Sequence, residues 1–407
     1  MAELDELMTG ALRDLAAEAP GLAPLSPRAR RRIRAGRAAR ALVSVVVAAG
    51  LFGGAVVGAQ ALNRTAPQPV AGRPAIAYVA NNGSGTVTSI LTATGRTLAA
   101  IKVGSSPSAV VVAPDGKTVY VASTHSGTVT PVRAATGTVL KPIKVGRSPE
   151  FFAITPDGAT LYAVNALSGT VTAIRTATGT VIKTIRVGRF PSGIAITPDG
   201  RTAYVSSLAN TVTPIRVATN TALKPIPTGQ GPGGIVITPD GKTAYVANIG
   251  AGTVTPIRVA TNEPLAPIKV GAGPYSIAIT PDGSTVYVAC RFAGTVVPIQ
   301  VATNKALAPI KAGRFPQVIT ITPDGRTVYV ANAQGHTVTP IRTATNTALP
   351  PVKTGPWPNA IAVTPDGKTA YVTNSNGDTV TPIRVATNTA LAPLKVGRFP
   401  DAIAISR

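Results

Sequence analysis

The chain has 407 residues, and its 39 lysines and arginines against 16 aspartates and glutamates give a formal net charge of +23 at pH 7. A single cysteine excludes an internal disulfide, and only two histidines leave little material for a histidine-based metal or nucleophile site. A net charge of this size attracts polyanions even without a shaped site.

Residues 1–74 differ in composition from the rest of the chain. Residues 41–62 are 22 consecutive residues without a charge, and as a helix they would be about 33 Å long, enough to span the hydrocarbon core of a bilayer. Seven arginines crowd the 13 residues immediately upstream: Arg28, Arg30, Arg31, Arg32, Arg34, Arg37 and Arg40. This excess of positive charge predicts a cytoplasmic tail at 1–40, a transmembrane helix at 41–62 and an extracytoplasmic remainder, attached to the cell membrane by a single pass.

Residues 41–62 also allow a second interpretation and contain a candidate dimerisation motif, and a linker follows them. A signal peptide cleaved after Ala61, at Ala59-Gln60-Ala61, competes with the anchor, but the long charged leader and the length of the apolar run favour an uncleaved helix. Gly50, Gly54 and Gly58 repeat every four residues, which would let two helices form a homodimer, although glycine is common in membrane helices generally. Residues 63–74 contain three prolines and are predicted to be a short, stiff linker.

From residue 75 onward, a unit of about 42 residues occurs eight times. Each copy contains one tyrosine at an equivalent position, and successive tyrosines are 41 or 42 residues apart: Tyr78, Tyr120, Tyr162, Tyr204, Tyr245, Tyr287, Tyr329 and Tyr371. Because each unit must bury its apolar face against its neighbours, this strict repetition predicts a repeat architecture.

Each unit contains four short segments rich in Val, Ile, Thr and Tyr, represented in one copy by residues 192–197, 202–205, 211–216 and 222–226. Their composition and flanking turn residues predict β-strands. The first two segments are joined by Pro-Asp-Gly, which presets a tight turn. Four strands in about 42 residues are the size of one β-propeller blade.

A proline inside the third segment conflicts with a fully paired inner strand, because proline cannot donate to the ladder. It occurs in six units: Pro131, Pro214, Pro256, Pro298, Pro340 and Pro382. We expect either a bulge or a broken ladder at this position.

The repeat array begins in the middle of a unit and ends on a first segment, residues 402–405. We therefore predict that the C-terminal strand completes the blade that contains Tyr78 and closes the ring without a covalent link. The predicted fold is an all-β propeller of four-stranded blades over residues 75–407, preceded by one transmembrane helix. Eight blades are favoured over seven, because a leftover unit would expose strand edges.

The units resemble the YVTN-repeat β-propellers of surface-layer-like and exported bacterial and archaeal proteins. The resemblance rests on Tyr245-Val246-Ala247-Asn248 and Tyr371-Val372-Thr373-Asn374, with Pro-Asp-Gly upstream, and it covers about 330 of the 407 residues. It implies an extracytoplasmic scaffold or binding role and no catalytic residue, because the motif is structural. Familiar members often have seven blades, so the count of eight departs from that pattern.

A Gly-x-x-Pro loop joins each fourth segment to the next first segment, and its two central residues differ among the units. In a propeller these loops surround one mouth of the central channel. Several copies carry arginine or an aromatic residue, and we call these residues the rim crescent: Arg147, Arg189, Phe190, Arg314, Phe315, Trp357, Arg398 and Phe399. Arginine binds phosphate, sulfate or carboxylate and the rings can stack, so the pattern predicts a ligand site unless these side chains are structural or merely solvated.

The residue after each loop proline also varies, and the polar or aromatic copies are Glu150, Tyr275, Gln317, Asn359 and Asp401. If they face the channel, they could bind a small polar or cationic ligand at its mouth. Alternation along the strand leaves the direction of these side chains open.

Together these patterns favour a membrane-anchored binding or scaffold module for an anionic cell-surface polymer or a protein partner. No enzyme activity, catalytic residue, metal site or cofactor is expected. The alternative is a propeller enzyme of lyase or lactonase type that uses the channel mouth. The lack of paired histidines and of clustered carboxylates beyond Glu150 and Asp401 weighs against it.

Overall fold

A computed structural model describes residues 75–406, and in them the chain forms eight antiparallel β-sheets. Each sheet is one blade, so the predicted all-β propeller of eight four-stranded blades is confirmed. The predicted tail at 1–40, the helix at 41–62 with Gly50, Gly54 and Gly58, and the linker at 63–74 lie outside the described residues. Between residues 75 and 406, no helix is long and apolar enough to cross a membrane.

We number the blades from the N-terminus and their strands from the innermost outward. Blade 1 consists of Pro400–Ile405, Ile76–Asn81, Thr86–Leu91 and the split outer strand Arg96–Thr97 and Ile101–Lys102. Blade 2 consists of Pro107–Val112, Thr118–Ser123, Thr128–Arg133 and Ile143–Lys144. Blade 3 consists of Pro149–Ile154, Thr160–Asn165, Thr170–Arg175 and Thr180–Arg186. Blade 4 consists of Pro191–Ile196, Thr202–Ser207, Thr211–Arg216 and the split strand Thr221–Ala222 and Ile226–Pro227.

The outer strand is also split in the four remaining blades. Blade 5 consists of Pro232–Ile237, Thr243–Asn248, Thr253–Arg258, Glu263–Pro264 and Ile268–Lys269. Blade 6 consists of Pro274–Ile279, Thr285–Cys290, Thr295–Gln300, Lys305–Ala306 and Ile310–Lys311. Blade 7 consists of Pro316–Ile321, Thr327–Asn332, Thr337–Arg342, Thr347–Ala348 and Val352–Lys353. Blade 8 consists of Pro358–Val363, Thr369–Asn374, Thr379–Arg384, Thr389–Ala390 and Leu394–Lys395. Short 3-10 helices lie at Ala166–Ser168, Val217–Thr219 and Ser375–Gly377.

The C-terminal strand closes the ring, as predicted. It pairs antiparallel with the first described strand, with Ile405 opposite Ala77 and Ile403 opposite Val79. Apolar clusters fill all eight interfaces between adjacent blades, including the one between blades 8 and 1. The propeller is therefore held together by burial between blades as well as by hydrogen bonds within them.

The repeated tyrosine connects each blade to the next. Its ring is buried, and its hydroxyl donates to the turn between the third and fourth strands of the following blade. In five cases the acceptor is the side chain of an asparagine in that turn, as in the 2.6 Å bond from Tyr204 to Oδ1 of Asn262. In the other three the turn has glycine instead and the hydroxyl donates to a backbone carbonyl, as in the 3.2 Å bond from Tyr371 to Thr92. These interblade bonds account for the repetition of the tyrosine.

The Pro-Asp-Gly tripeptides form the predicted turns. In blade 4, Oδ1 of Asp199 accepts hydrogen bonds from Oγ1 of Thr197 at 2.5 Å and from the backbone N–H of Arg201 at 3.0 Å, and Gly200 has a φ of 75°. Burial raises the pKa of Asp199, but these hydrogen bonds outweigh it and lower the pKa overall. The turn accounts for the aspartates without a ligand.

The prolines of the third strands break the outer ladder without causing a bulge. Pro214 pairs in register with Tyr204, whereas the outer strand opposite it is split and contributes a 2.8 Å hydrogen bond from the N–H of Leu223 to the Pro214 carbonyl. Blade 3 has Ala173 at this position and keeps a continuous outer strand. Blade 1 has Ser89 there and is nevertheless split, so proline is not required for the break.

Candidate active site

Every innermost strand begins with a β-bulge immediately after the loop proline. In blade 3, Pro149 is opposite Asn165 and Phe151 is opposite Val164, so Glu150 is the extra residue. The same shift occurs in all eight blades and the bulged residues are Asp401, Ser108, Glu150, Ser192, Gly233 with Gly234, Tyr275, Gln317 and Asn359. A bulge redirects a side chain relative to the alternation of its strand.

Several of the bulged residues interact with one another between blades. Gln317 donates from Nε2 to Oδ1 of Asn359, and Asn359 donates from Nδ2 to Oδ1 of Asp401 at 2.5 Å, which links blades 7, 8 and 1. Tyr275 is three blades away from both Glu150 and Asp401, yet the charges of both act on its hydroxyl. The five residues predicted for the channel mouth are thus linked by hydrogen bonds, for Gln317, Asn359 and Asp401, or by charge effects, for Glu150, Tyr275 and Asp401. We call them the mouth cluster.

Glu150 is a buried carboxyl group with one unpaired oxygen. The residue is 6% exposed, and Oε1 accepts a 2.6 Å hydrogen bond from Oγ of Ser148. Oε2 has no hydrogen-bond partner within residues 75–406. Burial raises the pKa of Glu150 to about 7, the Ser148 hydrogen bond opposes this shift, and the charge of Asp401 adds to it.

Asp401 is the second carboxyl group of the cluster. Its side chain is half-buried, and desolvation raises its pKa to about 7, which the hydrogen bond from Asn359 opposes. The charge of Asp401 also raises the pKa of Glu150, so ionisation of Asp401 disfavours ionisation of Glu150. When one of the two groups is ionised and the other is protonated, the carboxylate can act as a general base and the carboxylic acid as a general acid.

Arg291 supplies a buried positive charge that the sequence analysis missed. It follows the second strand of blade 6, is 4% exposed, and places its Cζ 3.4 Å from the ring centroid of Tyr275 and 4.7 Å from that of Phe315. Burial raises the pKa of the Tyr275 hydroxyl and the charge of Arg291 opposes the shift, so the hydroxyl stays protonated and able to donate at neutral pH.

A signal for Arg291 was present in the repeat. The equivalent residues in the other seven units are all uncharged: Asn82, Thr124, Ala166, Leu208, Ile249, Ala333 and Ser375. Each has the same backbone environment, a hydrogen bond from its N–H to the carbonyl of the residue before the loop proline. A charged side chain at one such position is therefore a deviation with no structural requirement behind it.

The rim crescent is uneven. The side chains of Arg147, Arg189, Arg314 and Arg398 are all exposed. The four aromatic residues have left-handed backbones, with φ values of 48° for Phe190, 60° for Phe315, 59° for Trp357 and 50° for Phe399. Only Phe315 and Trp357 among the eight residues are in ring contact, with centroids 6.3 Å apart. Ligand binding at the crescent stays a prediction.

Metal-ligating residues do not cluster in the part of the chain that is described: no group of three among His, Cys, Asp and Glu occurs there. His336 accepts a 3.1 Å hydrogen bond from the backbone N–H of Trp357 at Nδ1. Cys290 is fully buried and donates to the carbonyl of Val270 at 3.3 Å, and burial raises the pKa of its thiol to about 12. Both residues have structural partners.

Comparison with known proteins supports a β-propeller. The model of the family described as "Lactonase, 7-bladed beta-propeller" matches residues 74–184 and 267–354, just under half of the chain. A chain of hydrazine synthase from Kuenenia stuttgartiensis is 28% identical, with a TM-score of 0.58 over 69% of this chain and 96% of that one. No curated protein matches the sequence.

Two further solved structures share the fold at lower identity. A functionally unknown protein from Desulfotomaculum acetoxidans is 18% identical, with a TM-score of 0.59 over 72% of this chain and 99% of that one. Dihydro-heme d1 dehydrogenase NirN in complex with DHE is 15% identical, with a TM-score of 0.69 over 84% of this chain and 77% of that one.

These matches correct the expectation that the protein has no enzyme activity. The lactonase match points to the enzyme-type propellers, and the likeness to NirN agrees with it at the level of the fold. The expectation was wrong because it was based on the small number of histidines and on the lack of metal-ligand patterns in the sequence. Glu150 and Asp401 lie in bulges, and burial raises the pKa of each to about 7. Neither property can be recognised as a motif in the sequence.

Proposed function

We propose that the protein is a propeller enzyme that hydrolyses a lactone at the channel mouth. The observation that carries the proposal is the Glu150–Asp401 pair, in which both pKa values are raised to about 7. Perturbed carboxyl groups that converge in a concave site are typical of acid–base catalysts.

Lactone hydrolysis requires a general base, stabilisation of negative charge and a general acid, and the mouth cluster together with Arg291 can provide all three. The Glu150 carboxylate removes a proton from water, and the resulting hydroxide adds to the lactone carbonyl carbon. The Arg291 charge and the Tyr275 hydroxyl stabilise the negative oxygen of the tetrahedral intermediate. When the ring C–O bond breaks, protonated Asp401 donates its proton to the leaving alkoxide, which yields the hydroxy acid.

The position of the family match supports this assignment. Glu150, Tyr275, Arg291 and Gln317 all lie within the two matched segments, whereas Asp401 lies outside them. The unmatched stretch between the segments contains blade 4 and most of blade 5, whose bulged residues are the small Ser192, Gly233 and Gly234. The match therefore coincides with the part of the ring that carries most of the proposed machinery.

Lactone hydrolysis is testable with γ- and δ-lactones by following acid release at constant pH. We expect the rate to be greatest near pH 7, and Glu150→Gln or Asp401→Asn to lower kcat by about 100-fold. Glu263→Gln, which removes an exposed carboxylate paired with Arg258 in blade 5, should have no effect. No hydrolysis by the wild type, or full activity in Glu150→Gln, would reject the proposal.

A second candidate function is adhesion to an anionic surface polymer through the rim crescent, in a YVTN-type propeller attached to the membrane. The exposure of its four arginines favours it, as does a net charge of about +20 in residues 63–407, where 31 Lys and Arg face 11 Asp and Glu. Binding through an exposed rim should weaken as salt rises, because screening acts over ~8–10 Å near physiological ionic strength.

A comparison of two triple variants separates a shaped rim site from general attraction. Replacing Arg189, Arg314 and Arg398 with Ala should lower the affinity for a phosphate-bearing glycan more than replacing three outer-strand lysines, Lys269, Lys311 and Lys353, which removes the same charge. Equal losses in the two variants, measured by calorimetry at two salt concentrations, would argue against a rim site.

A further inference from the structure

Phe292 is the most exposed large apolar side chain among residues 75–406, at 65%. It follows Arg291 in the hairpin between the second and third strands of blade 6. The equivalent residues in the other units include no phenylalanine, tyrosine or tryptophan: Gly83, His125, Leu167, Ala209, Gly250, Gln334 and Asn376. Two consecutive residues of one hairpin, Arg291 and Phe292, thus deviate from the repeat.

Phe292 continues a series of rings along the rim. Its centroid is 6.2 Å from that of Phe315 at an interplanar angle of 61°, and Phe315 is 6.3 Å from Trp357 at 44°. We call Phe292, Phe315 and Trp357 the aromatic row. Arg291 joins the row to the mouth cluster, because its guanidinium lies against both Phe315 and Tyr275.

In the loop before blade 6, the ring of Phe292 occupies the space beside Gly273 that a side chain at that position would need. A Cβ on Gly273 would lie 2.4 Å from Cδ2 of Phe292. The row therefore extends without a gap from blade 6 to blade 8, although its members come from one hairpin and two rim loops.

The backbone at two members of the row is strained. Phe315 and Trp357 occupy the left-handed loop position at which blades 5 and 6 have Gly231 and Gly273. Bulky residues are rare in this conformation, and such strain is concentrated at ligand sites. Glycine would adopt this backbone conformation without strain, so the turn itself does not explain the aromatic side chains.

We propose that the aromatic row is a binding subsite for a planar aromatic ring of the substrate. The inclined rings offer stacking and edge contacts to a flat π-system, and the row adjoins the mouth cluster through Arg291. The identification of the bound ring as part of the substrate rests on the proposed lactone hydrolysis. The binding of an aromatic ring to the row is independent of that proposal.

Trp357 is the only tryptophan in the chain, so the ¹⁵N-labelled full-length protein has a single indole N–H resonance, and it reports on the row. Benzyl alcohol and cyclohexylmethanol are matched in size and polarity, and only the first is flat. We expect a saturable shift of this resonance with benzyl alcohol, and an affinity about two- to tenfold higher than for cyclohexylmethanol. Phe292→Ala should remove this preference, and Leu167→Ala, which truncates the exposed apolar side chain at the equivalent position of blade 3, should keep it.

Equal affinities for the two alcohols, or an unchanged preference in Phe292→Ala, would overturn the subsite. So would a Trp357 resonance that shifts with protein concentration alone, because a second copy of the chain would then cover the row. If lactones are hydrolysed, Phe292→Ala should raise the KM for dihydrocoumarin, a lactone fused to a benzene ring, and leave that for δ-valerolactone unchanged. If the protein binds the aromatic ring but hydrolyses no lactone, the subsite is retained and the proposed hydrolysis is rejected. If it hydrolyses lactones without preferring an aromatic ring, the hydrolysis is retained and the subsite is rejected.

Discussion

Glu150 shows how a carboxyl group behaves at a bulge that every blade has but that each blade fills with its own side chain. Five other units place serine, glycine, asparagine or glutamine at this bulge, one has Tyr275 and one has a second carboxyl group, Asp401. A carboxyl group there resists ionisation, so its pKa is raised to about 7. The unfolded chain has no such penalty. Between about pH 4.5 and 7 the folded protein therefore binds more protons than the unfolded chain, and the free energy of unfolding falls as pH rises.

We predict that Glu150→Gln stabilises the protein at pH 8 and has little effect at pH 4.5. The shift from 4.5 to about 7 corresponds to a penalty of up to about 3 kcal/mol above pH 7. Urea unfolding of wild type and variant at both pH values measures the difference. Glu263→Gln serves as the control and should change stability equally little at both. A Glu150→Gln variant no more stable than wild type at pH 8 would show that the carboxyl is not desolvated.

The hairpin between the second and third strands has its own repeated network. In blade 5, Asn248 donates from Nδ2 to Oγ1 of Thr253 at 3.1 Å and of Thr255 at 2.8 Å, and four other blades have the same arrangement. Blade 6 has Cys290 in place of the asparagine and Val297 in place of the second threonine. The two substitutions belong together, because a buried amide facing valine would lose one of its acceptors.

Restoring the common asparagine alone should therefore be harmful. We predict that Cys290→Asn destabilises the protein by about 1–3 kcal/mol, the cost of an unsatisfied buried donor. The double variant Cys290→Asn with Val297→Thr should recover most of this loss, and Val297→Thr alone is the control. Thermal unfolding of the four proteins completes the cycle. A stabilising effect of Cys290→Asn by itself would contradict the account.

At the scale of the whole molecule, stability depends on closing the ring. Blade 1 takes its innermost strand from the C-terminus, and this strand also packs against blades 2 and 8. The hydroxyl of Tyr371 crosses the same junction to the carbonyl of Thr92. Without the last strand, Ala77 and Val79 would lose their paired neighbours and a strand edge would be exposed in the channel.

Deletion of residues 401–407 should therefore lower the melting temperature by at least about 10 °C, since it exposes buried apolar surface on three blades. Deletion of Arg407 alone is the control and should leave the melting temperature nearly unchanged. Adding a synthetic peptide of residues 399–407 to the truncated protein should restore part of the loss. An unaltered melting temperature after the seven-residue deletion would mean that the ring does not need this strand.

The sequence by itself determined the blade count, the strands, the Pro-Asp-Gly turns and the closure of the ring. Each depends on a local signal, repeated eight times in one phase, and the tyrosine spacing excludes most alternatives. The tertiary structure decided what lies at the channel mouth. Strand alternation could not give the direction of Glu150 or Asp401, because both lie in bulges. Their pKa values arise from burial, which residue types do not reveal. The charges of Glu150 and Asp401 affect the pKa of Tyr275, which comes from a blade three positions away, and Arg291 packs against that same tyrosine, so these relations depend on the closed ring.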